Sequence, residues 1–227
     1  MRKIKSYFFI SLDGVVESPD KWHFPYFDDE MGAAVGAGYS GADALLMGRV
    51  LYDEWAAYWP EHADEPFADV MNSIKKYVVS NSLQAAEWQN SEIVSGDVAQ
   101  KLNELKAQDG GDVAVSGSAT TVRSLLRQGL LDELNLLVHP VVVGDGLARL
   151  FPPDEQTIPL DLLSAETFET GVLNLSYAPA EDWTSGRRPT DGSTDRCDGV
   201  RIARRRDGGA GRRNVQVPGL ELRVRSR

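Results

Sequence analysis

A single cysteine, Cys197, stands among 227 residues, so no intrachain disulfide can form and a cysteine-rich zinc centre is excluded. Histidine is nearly as scarce. His23, His62 and His139 are scattered, without the HExxH spacing that places two imidazoles on one helical face, and no structural metal is expected. No apolar run approaches the roughly 20 residues of a membrane-crossing helix, and Met1-Arg2-Lys3 leads into a short strand-like segment that does not resemble a secretory leader. A cytoplasmic protein with no membrane contact is therefore expected.

Lysine is missing from residues 183–227, where twelve arginines face four aspartates and one glutamate, a net charge of +7. Residues 1–182 hold twelve basic and 29 acidic side chains, a net −17 concealed within the formal −10 of the whole chain. So acidic a body disfavours nucleic acid as its main partner. The composition therefore divides the chain into one domain, residues 1–182, and an Arg/Gly-rich tail, residues 183–227. The tail offers little to bury and is expected to be disordered apart from a short strand at residues 215–224. Arginine without lysine, beside a body that uses both, reads as a non-native or recently acquired segment outside the chemistry.

What the body does contain is an alternation of strand and helix signals. Residues 5–12 (KSYFFISL) are strand-like and stop at the turn Asp13-Gly14. Residues 15–27 carry two prolines and the aromatics Trp22, Phe24, Tyr26 and Phe27, and form either a packed surface loop or one that covers a ligand. A glycine-rich helix is expected over residues 28–42. Strands are expected at 44–47, 76–79, 92–94 and 113–115, with helices following the first at 49–59, the third at 97–107 and the fourth from Ser118 or Thr120 to Gly129. Residues 134–143 form a long apolar run whose Pro140 demands an edge position or a bulge. Residues 160–168 and 172–178, joined through 169–171, read as a terminal antiparallel hairpin. The expected class is α/β: a three-layer fold with a mixed, mostly parallel central sheet, helices on both faces and a C-terminal hairpin.

Three strand ends carry residues suited to a dinucleotide. Gly48-Arg49 offers a close backbone approach and a forked cation; Ser80-Asn81-Ser82 offers hydroxyl and amide donors; and Gly117-Ser118-Ala119-Thr120-Thr121 opens a helix whose backbone N–H groups favour a phosphate. Most strand-to-helix turns in α/β proteins bind nothing, so it is the three in succession that point to a cofactor. Trp22, Phe24 and Phe27 of the first loop, with Tyr52, Trp55 and Trp59 of the following helix, are candidate walls of a dry substrate pocket. The latter three also fall at i, i+3 and i+7, the spacing of an ordinary core face. Asp13 and Asp28 are the candidate proton donors or substrate anchors, although Asp13 beside Gly14 equally suits a turn. His139 lies within an apolar run and reads as a satisfied core histidine.

The order ISLDGVV, LLMGRVLYDEW, VVSNSL, VSGSATTVRSLL and LLDELNLLVHPVVVGDG, over about residues 3–178, resembles the dihydrofolate-reductase-like fold. Specifically, it resembles the RibD C-terminal domain family of bacterial bifunctional deaminase-reductase proteins. The resemblance implies NADPH held by Gly48, Arg49, Val50, Leu51, Gly117, Ser118, Ala119, Thr120 and Thr121. The 2′-phosphate would be received at Ser80, Asn81 and Ser82. It further implies a reductase like that acting on 5-amino-6-(5-phosphoribosylamino)uracil, a small pterin- or pyrimidine-like substrate, and a homodimer. The chain departs from the family's bifunctional members in lacking a zinc deaminase's cysteines, which excludes deamination. It departs from true dihydrofolate reductases in having Phe27, with Asp28 next, where an acid follows the loop tryptophan by five positions. Two other readings stand beside the reductase: a catalytically silent nucleotide-binding or regulatory module of the same fold, and nucleic-acid binding through the arginine tail.

Overall fold

The computed structural model describes residues 1–65, 67–144, 147–153 and 157–180. The expectations for the tail, 183–227, and the end of the turn at 144–146 lie outside the described residues. In chain order the elements are β1 (Ile4–Ser11), α1 (Asp29–Ser40), β2 (Ala42–Gly48), α2 (Arg49–Tyr58), α3 (Ala68–Ser73), β3 (Lys75–Val79) and β4 (Ser91–Val94). There follow α4 (Val98–Ala107), β5 (Asp112–Val115), α5 (Ala119–Arg127), β6 (Glu133–His139), β7 (Leu160–Thr167) and β8 (Leu173–Pro179).

The strands form one sheet in the order β4-β3-β2-β5-β1-β6-β8-β7. Every pairing from β4 to β6 is parallel, and β8 and β7 add antiparallel to β6 and to each other. The mixed, mostly parallel sheet with its closing hairpin is the architecture expected from the sequence. Alternate residues of β2 divide the core. Ala44 and Leu46 pack with Leu102 and Leu105 of α4 and Val122, Leu125 and Leu126 of α5, whereas Leu45 and Met47 pack with Tyr52 of α2 and Met71 of α3. Because strand side chains alternate in direction, these sets lie on opposite faces, and helices cover both.

Three local expectations are corrected. β6 sits between β1 and β8, in the interior of the sheet, and ends at His139, so Pro140 needs neither an edge nor a bulge. The apolar run was longer than the strand. The first helix is Asp29–Ser40, with β2 beginning at Ala42 and not at residue 44. The short helix α3 was not foreseen, because six residues, ADVMNS, carry too few turns to show a period. Among the described residues no helix is long and apolar enough to cross a membrane.

Candidate functional site

Between β1, α1, α2 and the start of α5 lies a cavity of about 920 Å³. Its floor includes Phe8 and Leu136, its walls Leu51, Trp55 and Tyr39, and its cover Val16 to Asp20 of the first loop. The segment Ser116 to Thr120, from the carboxyl end of β5 into α5, runs along it. Carboxyl ends of parallel strands are where open α/β sheets take ligands, because the loops there diverge and helix N-termini face inward.

The strand ends at Gly48 and Gly117 meet here. A Cβ at Gly48 would stand 2.8 Å from Thr121 Oγ1 and 3.5 Å from Ser118 Oγ, so only a hydrogen fits where β2 approaches α5. Gly117 has φ of +133°, a conformation L side chains rarely adopt. Ser118 is the N-cap of α5, yet its hydroxyl turns to Thr121 Oγ1 at 3.2 Å and caps nothing. Helix α2, capped by Gly48, also lacks a side-chain cap. By contrast α1 and α4 are closed by Asp28 and Asp97, whose carboxylates accept from Met31 N and Gln100 N. The two helix N-termini at the cavity both lack a side-chain acceptor, as does that of the short α3, which does not line the cavity, and such termini favour an anion. Val50, Leu51, Gly117, Ser118, Ala119 and Thr120 line the cavity.

The third strand end flanks this arrangement. Arg49 Nη1 donates to Ser82 Oγ at 2.9 Å, and Arg49 Nε to Asp53 Oδ2 at 3.2 Å. Buried Ser80 accepts from the amides of Ser82 and Leu83 at 3.2 and 3.0 Å, which shapes the loop. Asn81 Oδ1 accepts from Gly96 N at 3.1 Å and ties the loop after β3 to the loop after β4. Ser82 and Arg49 are therefore a hydrogen-bonded exposed pair, beside the exposed Asn81 and the buried Ser80, which shape the loop.

The candidate acids lie elsewhere. Asp13 accepts from Ser11 Oγ at 2.7 Å, the Val143 and Gly144 amides at 3.0 and 3.1 Å, and Arg149 Nη2 at 3.3 Å. The Ser11 hydroxyl and the Val143 amide, foremost among these partners, hold its carboxyl well below the usual carboxylate range. A carboxylate so engaged fastens loops and retains no proton at neutral pH. Asp28 is the N-cap of α1, and neither aspartate is among the residues lining the cavity.

Of the six aromatic candidates, only Trp55 lines the cavity. Trp22 is buried, donates to Glu17 O at 3.2 Å and meets the His139 ring edge-on at 5.2 Å. Phe24 and Phe27 are exposed, outside the lining. Tyr52 is buried against Trp88, whose amide donates to its hydroxyl at 3.0 Å, and Trp59 packs edge-on against Trp55 at 6.2 Å. The helical spacing of Tyr52, Trp55 and Trp59 thus marks core as well as wall. His139 is only half satisfied: its Nδ1 stands 2.8 Å from Leu137 O, and its buried Nε2 has no partner.

The sequence reading missed Tyr39 and Ser116. Both line the cavity, and their hydroxyls share a hydrogen bond. The available signal was one aromatic in a helix otherwise rich in Gly and Ala, DEMGAAVGAGYS. Also missed were the carboxylates Glu17, Asp20 and Glu54, the only charged side chains among the described lining residues.

Comparison with known proteins agrees with this architecture. The RibD C-terminal domain profile matches residues 2–174. The protein YyaP of Bacillus subtilis (strain 168), described as uncharacterized, is 30% identical over 173 residues, which cover 74% of this chain and 90% of the relative. A solved structure from Shewanella sp. PV-4, named for riboflavin biosynthesis, superposes with a TM-score of 0.64 at 20% identity, covering 79% of this chain and 99% of that one. The diaminohydroxyphosphoribosylaminopyrimidine deaminase/5-amino-6-(5-phosphoribosylamino)uracil reductase of Thermotoga maritima gives 0.57 at 15% identity, covering 79% of this chain and 57% of that longer one. At such identities the structural likenesses show a shared fold. The profile match, which spans most of the chain, shows more: this protein belongs to the RibD C-terminal domain family.

Proposed function

We propose that the chain is an NADPH-dependent reductase acting on a small pyrimidine- or pterin-like heterocycle. The observation that carries the reading is the meeting of Gly48 with Ser118 and Thr121 between two uncapped helix N-termini at the rim of an apolar cavity. The residues present fit a dinucleotide. The first turns of α2 and α5 would hold the pyrophosphate, and Arg49 with Ser82 would take the 2′-phosphate, supported by Ser80 and Asn81. When bound, the nicotinamide supplies a hydride. The chain's own part would be to give that ring an apolar seat, for which Trp55 and Leu51 are available, and to exclude water with Phe8 and Leu136. The acidic rim of Glu17, Asp20 and Glu54 suits a substrate bearing amino or ring N–H donors.

Titration with NADPH, followed by quenching of tryptophan fluorescence, tests the reading. NADPH should bind at least tenfold more tightly than NADH, and Ser82→Ala should narrow that preference. Equal affinity for the two nucleotides would overturn the assignment of Arg49 and Ser82, and no binding of either would overturn the reading. The displacement of Asp13 and Asp28 from the cavity favours the second reading, a silent nucleotide-binding module. Oxidation of NADPH in the presence of pterins, aminouracils or quinones separates the two, since a module binds NADPH and turns over none of them.

A further inference from the structure

We propose that Tyr39, hydrogen-bonded to Ser116, is the catalytic residue that delivers the proton in this reduction. The inference rests on the reductase reading above and names a group that neither the motifs nor their spacing indicates.

Reduction of a C=N or C=O bond requires a proton as well as a hydride. When hydride reaches the carbon, the electron pair of the π bond moves to the heteroatom, which must then take a proton. In a cavity walled by Phe8, Leu51, Trp55 and Leu136, that proton has to come from a side chain already positioned there. The ionisable lining residues are Tyr7, Glu17, Asp20, Tyr39 and Glu54. All three carboxyl groups belong to exposed residues, and that of Glu17 is occupied in accepting from Ala148 N at 2.6 Å. With Glu17 so engaged and Asp20 and Glu54 at the exposed rim, the two phenols are the ionisable groups set within the cavity. Tyr7 lies in the field of Lys5, Glu133 and Asp112, the ion-pair cluster around the start of β1. Tyr39 is instead directed to Ser116, the residue that follows β5 and precedes Gly117.

Several independent features fix Tyr39 in place. It is the penultimate residue of α1, and its ring stands 5.8 Å from that of Tyr7. The preceding Gly38 lets the helix lie against Tyr7, since a Cβ there would approach Tyr7 Cε1 to 2.7 Å. Burial raises the pKa of Tyr39, with the Ser116 bond opposing, so the phenol holds its proton throughout the neutral range. In the step, the Oη–H bond of Tyr39 breaks and an N–H or O–H bond forms on the substrate. Ser116 Oγ then donates to the phenolate oxygen, and water at the cavity mouth returns the proton. The reductant is the nicotinamide already assigned, so electrons and protons balance.

Tyr39→Phe keeps the ring and removes only the hydroxyl. In the full chain it should bind NADPH within twofold of wild type. The turnover number for whichever pterin, aminouracil or quinone the wild type reduces fastest should fall about 100-fold or more, with KM within threefold. The alkaline limb of the wild-type pH profile should disappear. A readout independent of turnover is the titration of 13Cζ-labelled tyrosines by NMR. The signal absent from Tyr39→Phe should titrate above the ordinary phenol range in wild type, and further up in Ser116→Ala. Turnover within threefold of wild type would overturn the proposal, as would a raised KM with unchanged turnover number, which is the signature of a wall residue. A wild type that binds NADPH but reduces nothing on the panel overturns the reductase reading itself.

Discussion

Helix α1 contains a natural pair of opposites in Gly36 and Gly38. A Cβ at Gly36 meets nothing within 4 Å, and one at Gly38 would lie 2.7, 3.0 and 3.2 Å from Cε1, Cδ1 and Cζ of Tyr7. Replacing an unobstructed helical glycine by alanine gains about 0.5–1 kcal/mol, through helix propensity and a less disordered unfolded chain. Gly36→Ala should therefore stabilise the protein by that amount. Gly38→Ala receives the same gain and loses about 1–3 kcal/mol to overpacking, because the half-buried Tyr7 ring must move. Subtracting one variant from the other cancels the propensity and unfolded-state contributions, so their difference of about 1–3 kcal/mol reports the contact alone. Urea unfolding followed by far-UV circular dichroism and tryptophan fluorescence measures both. Equal stabilisation by the two substitutions would refute the idea that Gly38 exists to let α1 close on Tyr7, and with it the account of how Tyr39 is positioned.

Two further outcomes follow from charged groups. The buried ammonium of Lys76 donates to Asn72 O, Ile74 O and Gln89 O at 3.1, 2.9 and 3.1 Å and lies 4.1 Å from the Trp88 ring, while burial pushes its pKa from 10.5 to about 8. The unfolded chain then binds the extra proton between these values. Wild type should gain on Lys76→Met by up to about 1.4 kcal/mol per pH unit as pH rises through that window, and parallel stability curves would show that the carbonyls and the indole face fully replace water. The Asp13 carboxyl is lowered, so its stabilisation is complete above about pH 4 and fades as pH falls. The gap in urea midpoint between wild type and Asp13→Asn should accordingly shrink in acid, and a gap that is constant with pH would sink this account.

Much of the architecture was legible because it depends on short-range signals. Apolar runs broken by glycine mark the ends of β2 and β5, and the apolar period of residues 122, 125 and 126 marks the buried face of α5. The convergence of Gly48 with Ser118 and Thr121 was legible only as a list of suitable residues, since their contact needs the parallel pairing of β2 with β5. Long-range partners were invisible. Asp13 reads as a turn residue or an acid until Val143, Gly144 and Arg149 supply its partners. Asp28 could have been read correctly, for an aspartate followed by Asp29 and Glu30 at a helix start is a cap with an acidic first turn. The aromatic face of α2 was ambiguous because one spacing serves both Tyr52, which faces the core, and Trp55, which faces the cavity.

The position of β1 in the sheet has a consequence for how the protein is made. The first strand of this sheet in chain order is an inner one, flanked by β5 and β6, with Ile4 opposite Val113 and Lys5 opposite Glu133. One edge gains its partner when β5 is made, and the other stays open until the chain has grown past Glu133, a wait on the order of ten seconds at ordinary translation rates. During that interval IKSYFFIS is an apolar strand with at least one open edge, the kind of segment that pairs with a neighbouring nascent chain. Synthesis of β6 is the event that retires this hazard, so slowing translation before residue 133 should lower the soluble yield more than the same delay placed after it.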